Sequence, residues 1–436
     1  MNHEPKSKLR SILRVIALII ILVAVAHYIG MSWLVKKNNA DFSNLLTRLG
    51  AKSTTTPSFQ ETRNRSADNA WPLYQSIFSE CLTWSMDCHK TTTFDEGNYL
   101  KVWSEHCPDI EELLKRINAL AAFAETKKYS RPPMTRFALP WEITRMTEYL
   151  SLQAGNILNV TLPAAAHELS VGNSSEASRL LTMSLTILDR GLSEPLHIHS
   201  VVKFQCITLI ENFILKNLLL FQPHDLEDLL AAFAARDPWN EWKECMRRQA
   251  SHHAFYWEQD DVTQSLYGPT MESTHSIGAQ LLSRLHKYLI TLELDKAHFI
   301  ASCNASLDDM DRSRIHDAVG QATIPLSHFQ DQPWFALCSE PMIVYDYKVM
   351  RERFINIDVA QWMIVVTALR ARLGVPTEHL ENWIRVEPIG NGISISSPNI
   401  RVMFEIDGKG PLVSDPYGHD KTRHPFSILV EPIEQK

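Results

Sequence analysis

His252 and His253 stand side by side, and Glu258, Asp260 and Asp261 follow closely. Imidazole nitrogens combined with carboxylate oxygens are the ligand set that holds zinc and activates a bound water for hydrolysis. His252, His253 and Glu258 are therefore the candidate metal or catalytic residues. The same run also reads as the polar face of a helix, which is the preferred account. A second pair, His197-x-His199, has a spacing that ligates from a strand. On a helix, positions i and i+2 diverge by about 200°, so a capping or surface role fits a pair that opens a helix. Asp308, Asp309 and Asp311 suggest calcium, yet the glycine and closing glutamate of a calcium loop are missing. Acidic residues at a helix start, favoured by its dipole, account for them better. No His-Glu-x-x-His, Gly-x-Ser-x-Gly or phosphate-loop pattern occurs. The sequence thus assigns no catalytic residue and no cofactor.

The seven cysteines are Cys81, Cys88, Cys107, Cys206, Cys245, Cys303 and Cys338. An odd number cannot pair completely, and the absence of a Cys-x-x-Cys pair speaks against structural zinc. Three of them lie close together, so a Cys81–Cys88 or a Cys88–Cys107 disulfide is expected if that part of the chain is exported. Ordinary buried thiols are the alternative.

What must position these residues begins with the run from Val15 to Val35, 21 residues without Lys, Arg, Asp or Glu. As a helix it would reach about 31 Å, close to the thickness of a bilayer's hydrocarbon core. Lys6, Lys8, Arg10 and Arg14 precede it, against Lys36 and Lys37 after it. This excess favours a cytoplasmic N-terminus and an exported domain, which places the chain in a bacterial inner membrane with its bulk on the periplasmic side. Ala24-Val25-Ala26 has the form a signal peptidase reads, with cleavage after Ala26. The apolar run continues well past it through Trp33 and Leu34, so an uncleaved anchor is the preferred reading.

The chain has 436 residues, 45% of them hydrophobic and 21% charged, which is ample for a core. A formal net charge of −7 supplies no basic surface for nucleic acid. Glycine is scarce, at 15 residues, and with much Leu and Ala this favours a mainly helical chain. The expected organisation is a cytoplasmic N-terminus over 1–14, the span over 15–35 and a polar stalk over 36–68. An α-helical domain over 69–373 and a small β-containing module over 374–436 complete it.

Within the helical domain, Asn69 to Tyr74 reads as a short aromatic helix. Pro108 to Thr126 reads as an amphipathic one with Ile110, Leu113, Leu114, Ile117, Leu120 and Ala121 on one face. The densest part, Trp141 to Ala235, reads as four helices. The first ends at Ser170 and is expected to bend or break at Pro163. Asn173 with Glu176 makes a capping box for the second, whose face is Ala177, Leu180, Leu181, Ser184, Leu185 and Leu188. Pro195 to Phe221 is apolar nearly all round and should be central. The fourth carries Leu226, Leu229, Leu230 and Phe233 on one face. Two later helices are expected over about His275–Ile300 and Asp358–Leu373. After Pro376, alternating residues at Ile393–Ser396 and Ile400–Ile406, with Phe426–Val430, read as a small antiparallel sheet.

The helical part resembles a loose family of uncharacterised, N-terminally anchored bacterial proteins of planctomycete type. The resemblance rests on AAAHELSVGNSSEASRLLTMSLTIL (Ala164 to Leu188), the apolar helix after it, and the closing module with Trp362 to Arg370, Gly374-Val375-Pro376-Thr377-Glu378-His379-Leu380 and Asp415-Pro416-Tyr417-Gly418. The last part is also similar to type II secretion pseudopilins, in which a Pro-x-x-x-Leu segment precedes an Asp-Pro-x-Gly turn. Here Val375 replaces the aromatic before the proline, and the N-terminal Gly-Phe-Thr-x-x-Glu processing site is lacking. The resemblance implies an architecture and no activity. The expected role is a scaffold or interaction domain whose Ala-rich hairpins pack like tetratricopeptide repeats. An envelope hydrolase or metal-dependent enzyme using His252, His253 and Glu258 is the alternative, and a secretion or pilus-like component is a third reading.

Overall fold

A computed structural model describes residues 5–49, 71–88, 98–126, 154–191, 197–257, 291–312, 360–375, 385–389, 392–397 and 426–430. The described chain is mostly helical, and its first element, α1 (Pro5–Arg48), is 44 residues long. From Val15 to Ile29 its apolar side chains are exposed, as is Trp33, with Ile20, Leu22, Val23 and Trp33 each exposed by more than half. A helix this long and apolar is able to cross a membrane.

The helix does not stop at residue 35. Asn38, Phe42 and Leu45 are buried, and their spacing puts them on one face. The expected polar stalk is thus corrected over 36–48. That stretch continues α1 and packs on the domain, because Phe42 and Leu45, with the half-buried Leu46 and Leu49, supply a 3–4 apolar spacing among the polar residues. Residues 50–68 lie outside the described residues.

Helix α2 (Trp71–Cys88) is longer than the short aromatic helix expected. Tyr74, Ile77, Phe78, Cys81, Ser85 and Cys88 keep one buried face along its whole length. Helix α3 (Tyr99–Thr126) leaves helical geometry at His106, where φ is −130° and ψ is 20°. Pro108 follows two residues on, and its nitrogen donates no hydrogen bond to the preceding turn. Ile110, Ile117 and Leu120 are buried beyond it.

Helices α4 (Leu158–Ser170) and α5 (Ser174–Gly191) form a tight antiparallel hairpin. The expected break at Pro163 does not occur, and α4 runs through it with Pro163 inside. Packing against both α3 and α5 supports α4 across the lost hydrogen bond. The described part of that helix begins at Leu158, and residues 127–153 lie outside the described residues. Gly172 turns the chain between the two helices at φ +85°. Its N–H donates to Leu169 O at 3.1 Å and the Asn173 N–H to Glu168 O at 2.8 Å, the two bonds of a Schellman ending. Gly374 repeats the arrangement after the last helix, at φ +67°.

The capping box expected at Asn173 and Glu176 is replaced by other pairings. Asn173 Nδ2 donates to Glu168 Oε2 at 2.6 Å, and both Glu176 oxygens are taken by Arg179. The apolar face of α5 is as expected, with Ala177, Leu180, Leu181, Ser184, Leu185 and Leu188 buried.

Helix α6 (His197–Asn217) is the central element, with Phe204, Ile207, Ile210, Phe213 and Ile214 buried. A 3-10 turn, Leu218–Leu220, leads to α7 (Pro223–Ala234), which buries Leu226, Leu229 and Phe233. Helix α8 (Pro238–Tyr256) follows, then α9 (Thr291–Arg312). Helix α10 (Ala360–Arg372) lies against α6 and α7. Its Gln361 Nε2 donates to Asn212 Oδ1 at 2.5 Å, and its Trp362 Nε1 donates to Phe233 O at 2.9 Å.

Three strands are described in the C-terminal part: β1 (Arg385–Ile389), β2 (Gly392–Ser397) and β3 (Phe426–Val430). Strand β2 is central and antiparallel to both neighbours, with Val386 opposite Ile395 and Ile393 opposite Val430. Pro388 sits on the edge strand β1, opposite Ile393. Ile395 and Val430 are buried with the helical core. The strand expected over Ile400–Ile406 lies outside the described residues.

Candidate functional site

Helices α1 and α9 meet in a polar junction. The two helices run parallel: Asn38 meets Glu293, Asn39 meets Lys296, and Arg48 meets Asn304 and Asp308. Asn38 is 1% exposed, and its Nδ2 donates to both the carbonyl oxygen and the Oε2 of Glu293 at 2.7 Å. Lys296 Nζ lies 4.8 Å from the centre of the Phe42 ring while donating to Asn39 Oδ1 at 3.2 Å. Arg48 Nη2 reaches Asp308 Oδ1 at 2.7 Å. Just before the junction, Lys37 Nζ lies 5.4 Å from the Trp33 ring, an aromatic–cation pair suited to a membrane edge. Asn38 is three residues beyond Val35, so the docked face begins about 4.5 Å further along the helix.

Asp308, Asp309 and Asp311 close α9 and do not open a helix. The expectation that they complement an N-terminal dipole is therefore corrected. Asp308 is held by the Arg48 guanidinium, which offsets the unfavourable carbonyl end of the helix. His252 and His253 stand in the last turns of α8, while Glu258, Asp260 and Asp261 lie outside the described residues. His197 opens α6, with His199 in the same first turn. Among the described residues, no group of three or more His, Cys, Asp or Glu side chains could hold a metal ion.

Cys81 and Cys88 share α2, seven residues apart. Seven helical residues span about 10.5 Å, beyond the Cα separation a disulfide bridges. The Cys81–Cys88 alternative is thereby removed. Cys81, Cys88, Cys107, Cys206 and Cys303 are all thiols. Burial pushes the Cys81 and Cys206 thiols up to about 12, far from a reactive thiolate.

The fold also assembles a Ser–His–Asp cluster that sequence spacing did not reveal. Asp225, 1% exposed, accepts from Ser174 Oγ at 2.5 Å and from the Gln222 N–H at 3.2 Å, while Ser178 Oγ donates to its carbonyl. His224 Nε2 lies 2.9 Å from Asp225 Oδ1 and 2.7 Å from Ser175 Oγ. A nucleophile relay needs the acid on one ring nitrogen and the serine on the other. Here both face the same nitrogen, so the cluster cannot pass a proton from serine to imidazole. It joins the N-termini of α5 and α7.

A second polar knot ties α5, α6 and α8. Lys203 Nζ contacts Asp189 at 2.7 Å and Glu241 at 2.9 Å, and Arg236 approaches Glu241 at 3.6 Å. Burial alone would raise the Glu241 carboxyl, but the Lys203 and Arg236 charges outweigh it and hold it below its ordinary value. The charges are balanced on both sides, which suits cross-bracing.

These features define a mainly α-helical protein with one helix able to span a membrane, docked at its far end onto its own domain. No protein-family model, curated protein or solved structure matches the chain.

Proposed function

We propose that the chain is a single-pass membrane protein whose helical domain is a non-catalytic scaffold, held on the exported face and presenting helical hairpins to a protein partner. The observation that carries this reading is the burial of Asn38, Phe42 and Leu45, which makes the end of the anchor part of the domain's packing. A domain fixed in this way keeps one face towards the bilayer, as a scaffold requires. The α4–α5 hairpin supports the scaffold role, since Leu158 to Gly191 spans 34 residues, the length of a tetratricopeptide unit. The β strands near the C-terminus read as a small module closing the helical stack. Lys6, Lys8, Arg10 and Arg14 against Lys36 and Lys37 support export of the domain. Alkaline phosphatase fused after Lys436 tests the orientation, because that enzyme works only when exported. Activity in bacterial cells is expected, and a well-expressed but inactive fusion would overturn the exported placement.

A further inference from the structure

We propose that the apolar run of α1 pairs in the bilayer with the same run of a second copy of this chain, along a seam centred on His27. The inference rests on the reading of α1 as a membrane span. His27 is eight residues from Val35 and twelve from Val15, about 12 Å and 18 Å along the helix. Its side chain is too short to bring the ring to either edge of the run. In hydrocarbon such a ring needs a hydrogen-bond partner, and polar residues placed there face other helices rather than lipid. On α1 the ring is exposed and makes no hydrogen bond among the described residues. No second helix among those residues is long and apolar enough to cross a membrane. The described chain therefore holds no second span to meet it.

A second copy meets the need because imidazole is complementary to itself. The neutral ring carries one N–H donor and one bare nitrogen acceptor, so one ring donates to the other across the seam of a symmetric pair. The neighbouring residues permit that approach. Ile16, Ile20, Val23, His27 and Gly30 recur at alternating four- and three-residue steps, the spacing that keeps one stripe of a helix facing its partner. Ile16, Ile20 and Val23 are all exposed. A Cβ built on Gly30 meets nothing within 4 Å, and its absence lets the two backbones close up beside the rings. The seam also clears the domain. Gly30 and Asn38 are eight residues apart, a rotation of about 80° around the helix. The face docked on α9 thus points aside from the second span.

The test places one added cysteine in the full chain, at Val23 on the seam or at Val25, about 200° away around the helix, and oxidises native membranes. Val23→Cys is expected to give a cross-linked dimer. Val25→Cys should give no more than the unaltered chain, whose own cysteines all lie beyond the span. Adding His27→Leu to Val23→Cys is expected to lower the dimer yield by about three- to tenfold. His27→Asn, which keeps a donor and an acceptor, should retain it. Leucine inserts at least as well as histidine, so a loss in His27→Leu reports pairing and not insertion. Equal yields at the two positions, no dimer from Val23→Cys, a yield indifferent to His27→Leu, or a cross-link to a protein of another mass would each overturn the proposal. An alkaline wash separates the two readings. Protein that stays with the membrane without cross-linking keeps the span and removes the pairing, whereas protein released by the wash removes both.

Discussion

Asn38 and Glu293, separated by 255 positions in the chain, are joined by two hydrogen bonds of 2.7 Å from one amide nitrogen. One goes to the backbone of α9 and the other to its side chain. The pair therefore fixes both the position of α1 along α9 and the rotation of α1 about its own axis. The same helix carries the apolar run from Val15 to Val35, so the pair also fixes the rotation of that run relative to the domain.

Replacing Asn38 with Ala leaves the Glu293 carbonyl and carboxylate without that donor, at a cost of about 1–3 kcal/mol. Leu45→Ala, at a position with no exposure, costs about 2–5 kcal/mol through lost burial and a cavity. Thermal unfolding of the full chain in detergent is expected to show a lower midpoint for both, with Leu45→Ala the larger loss. An unchanged midpoint for Leu45→Ala would mean that α1 is not part of the core.

Gly172 and Gly374 both adopt positive φ, and a Cβ built on either meets nothing within 4 Å. Alanine there carries only the left-handed backbone penalty of roughly 1–2 kcal/mol, with no clash. The two substitutions are expected to destabilise by similar amounts in denaturant titrations. A much larger loss at one of them would reveal packing beyond the turn itself.

Glu241 ties stability to acid. Its folded carboxyl is held below its ordinary value of about 4.5 by Lys203 and Arg236, so the stabilisation is complete above that pH. It is lost as the pH falls through the lower folded value. Lys203→Met removes the nearer partner of both Glu241 and Asp189. Its acid-unfolding midpoint, followed by circular dichroism, is expected to move to higher pH than that of the unaltered chain. An identical midpoint would separate Lys203 from the acid response.

Ser175 and His224 are expected to be inert towards acyl-transfer chemistry, since Ser175 and Asp225 share one imidazole nitrogen. A fluorophosphonate probe should leave Ser175 unlabelled, checked by peptide mass mapping. Labelling at Ser175 that disappears in His224→Ala would show that the cluster does activate a nucleophile.

Cys81, Cys206 and Cys303 are fully buried thiols, each pushed well above its ordinary value by burial. In the native chain they should resist iodoacetamide while Cys107 reacts, and unfolding should expose all four. Rapid native labelling of Cys206 would contradict the packing of α6.

The helical faces of α5 and α7 could be read from the sequence because each carries a 3–4 apolar spacing over several turns, and α6 could be read as buried because it is apolar nearly all round. The junction could not. Phe42 and Leu45 are surrounded by Asn38, Asn39, Asp41, Ser43 and Asn44, a composition that resembles a linker. Their partner helix is also far away in sequence, so no local spacing reports the contact. The acidic run at Asp308 was misplaced for a related reason. The expected helix ended at Ile300, whereas the structure carries it to Arg312, where Arg48 supplies the compensating charge. Cys81 and Cys88 looked like neighbours only while α2 was read as a short helix ending near Tyr74. The link from Ser174 to Asp225 depends on tertiary packing between α5 and α7, which residue spacing does not encode.

The docking of α1 on α9 is tested most directly by Asn39→Cys with Lys296→Cys in the full chain, oxidised in native membranes. The two native side chains are hydrogen-bonded at 3.2 Å. An intramolecular cross-link between positions 39 and 296 is expected, in protein that stays with the membrane through an alkaline wash. If both introduced thiols react singly with a maleimide but never with each other, α1 leaves the domain free and the account is wrong.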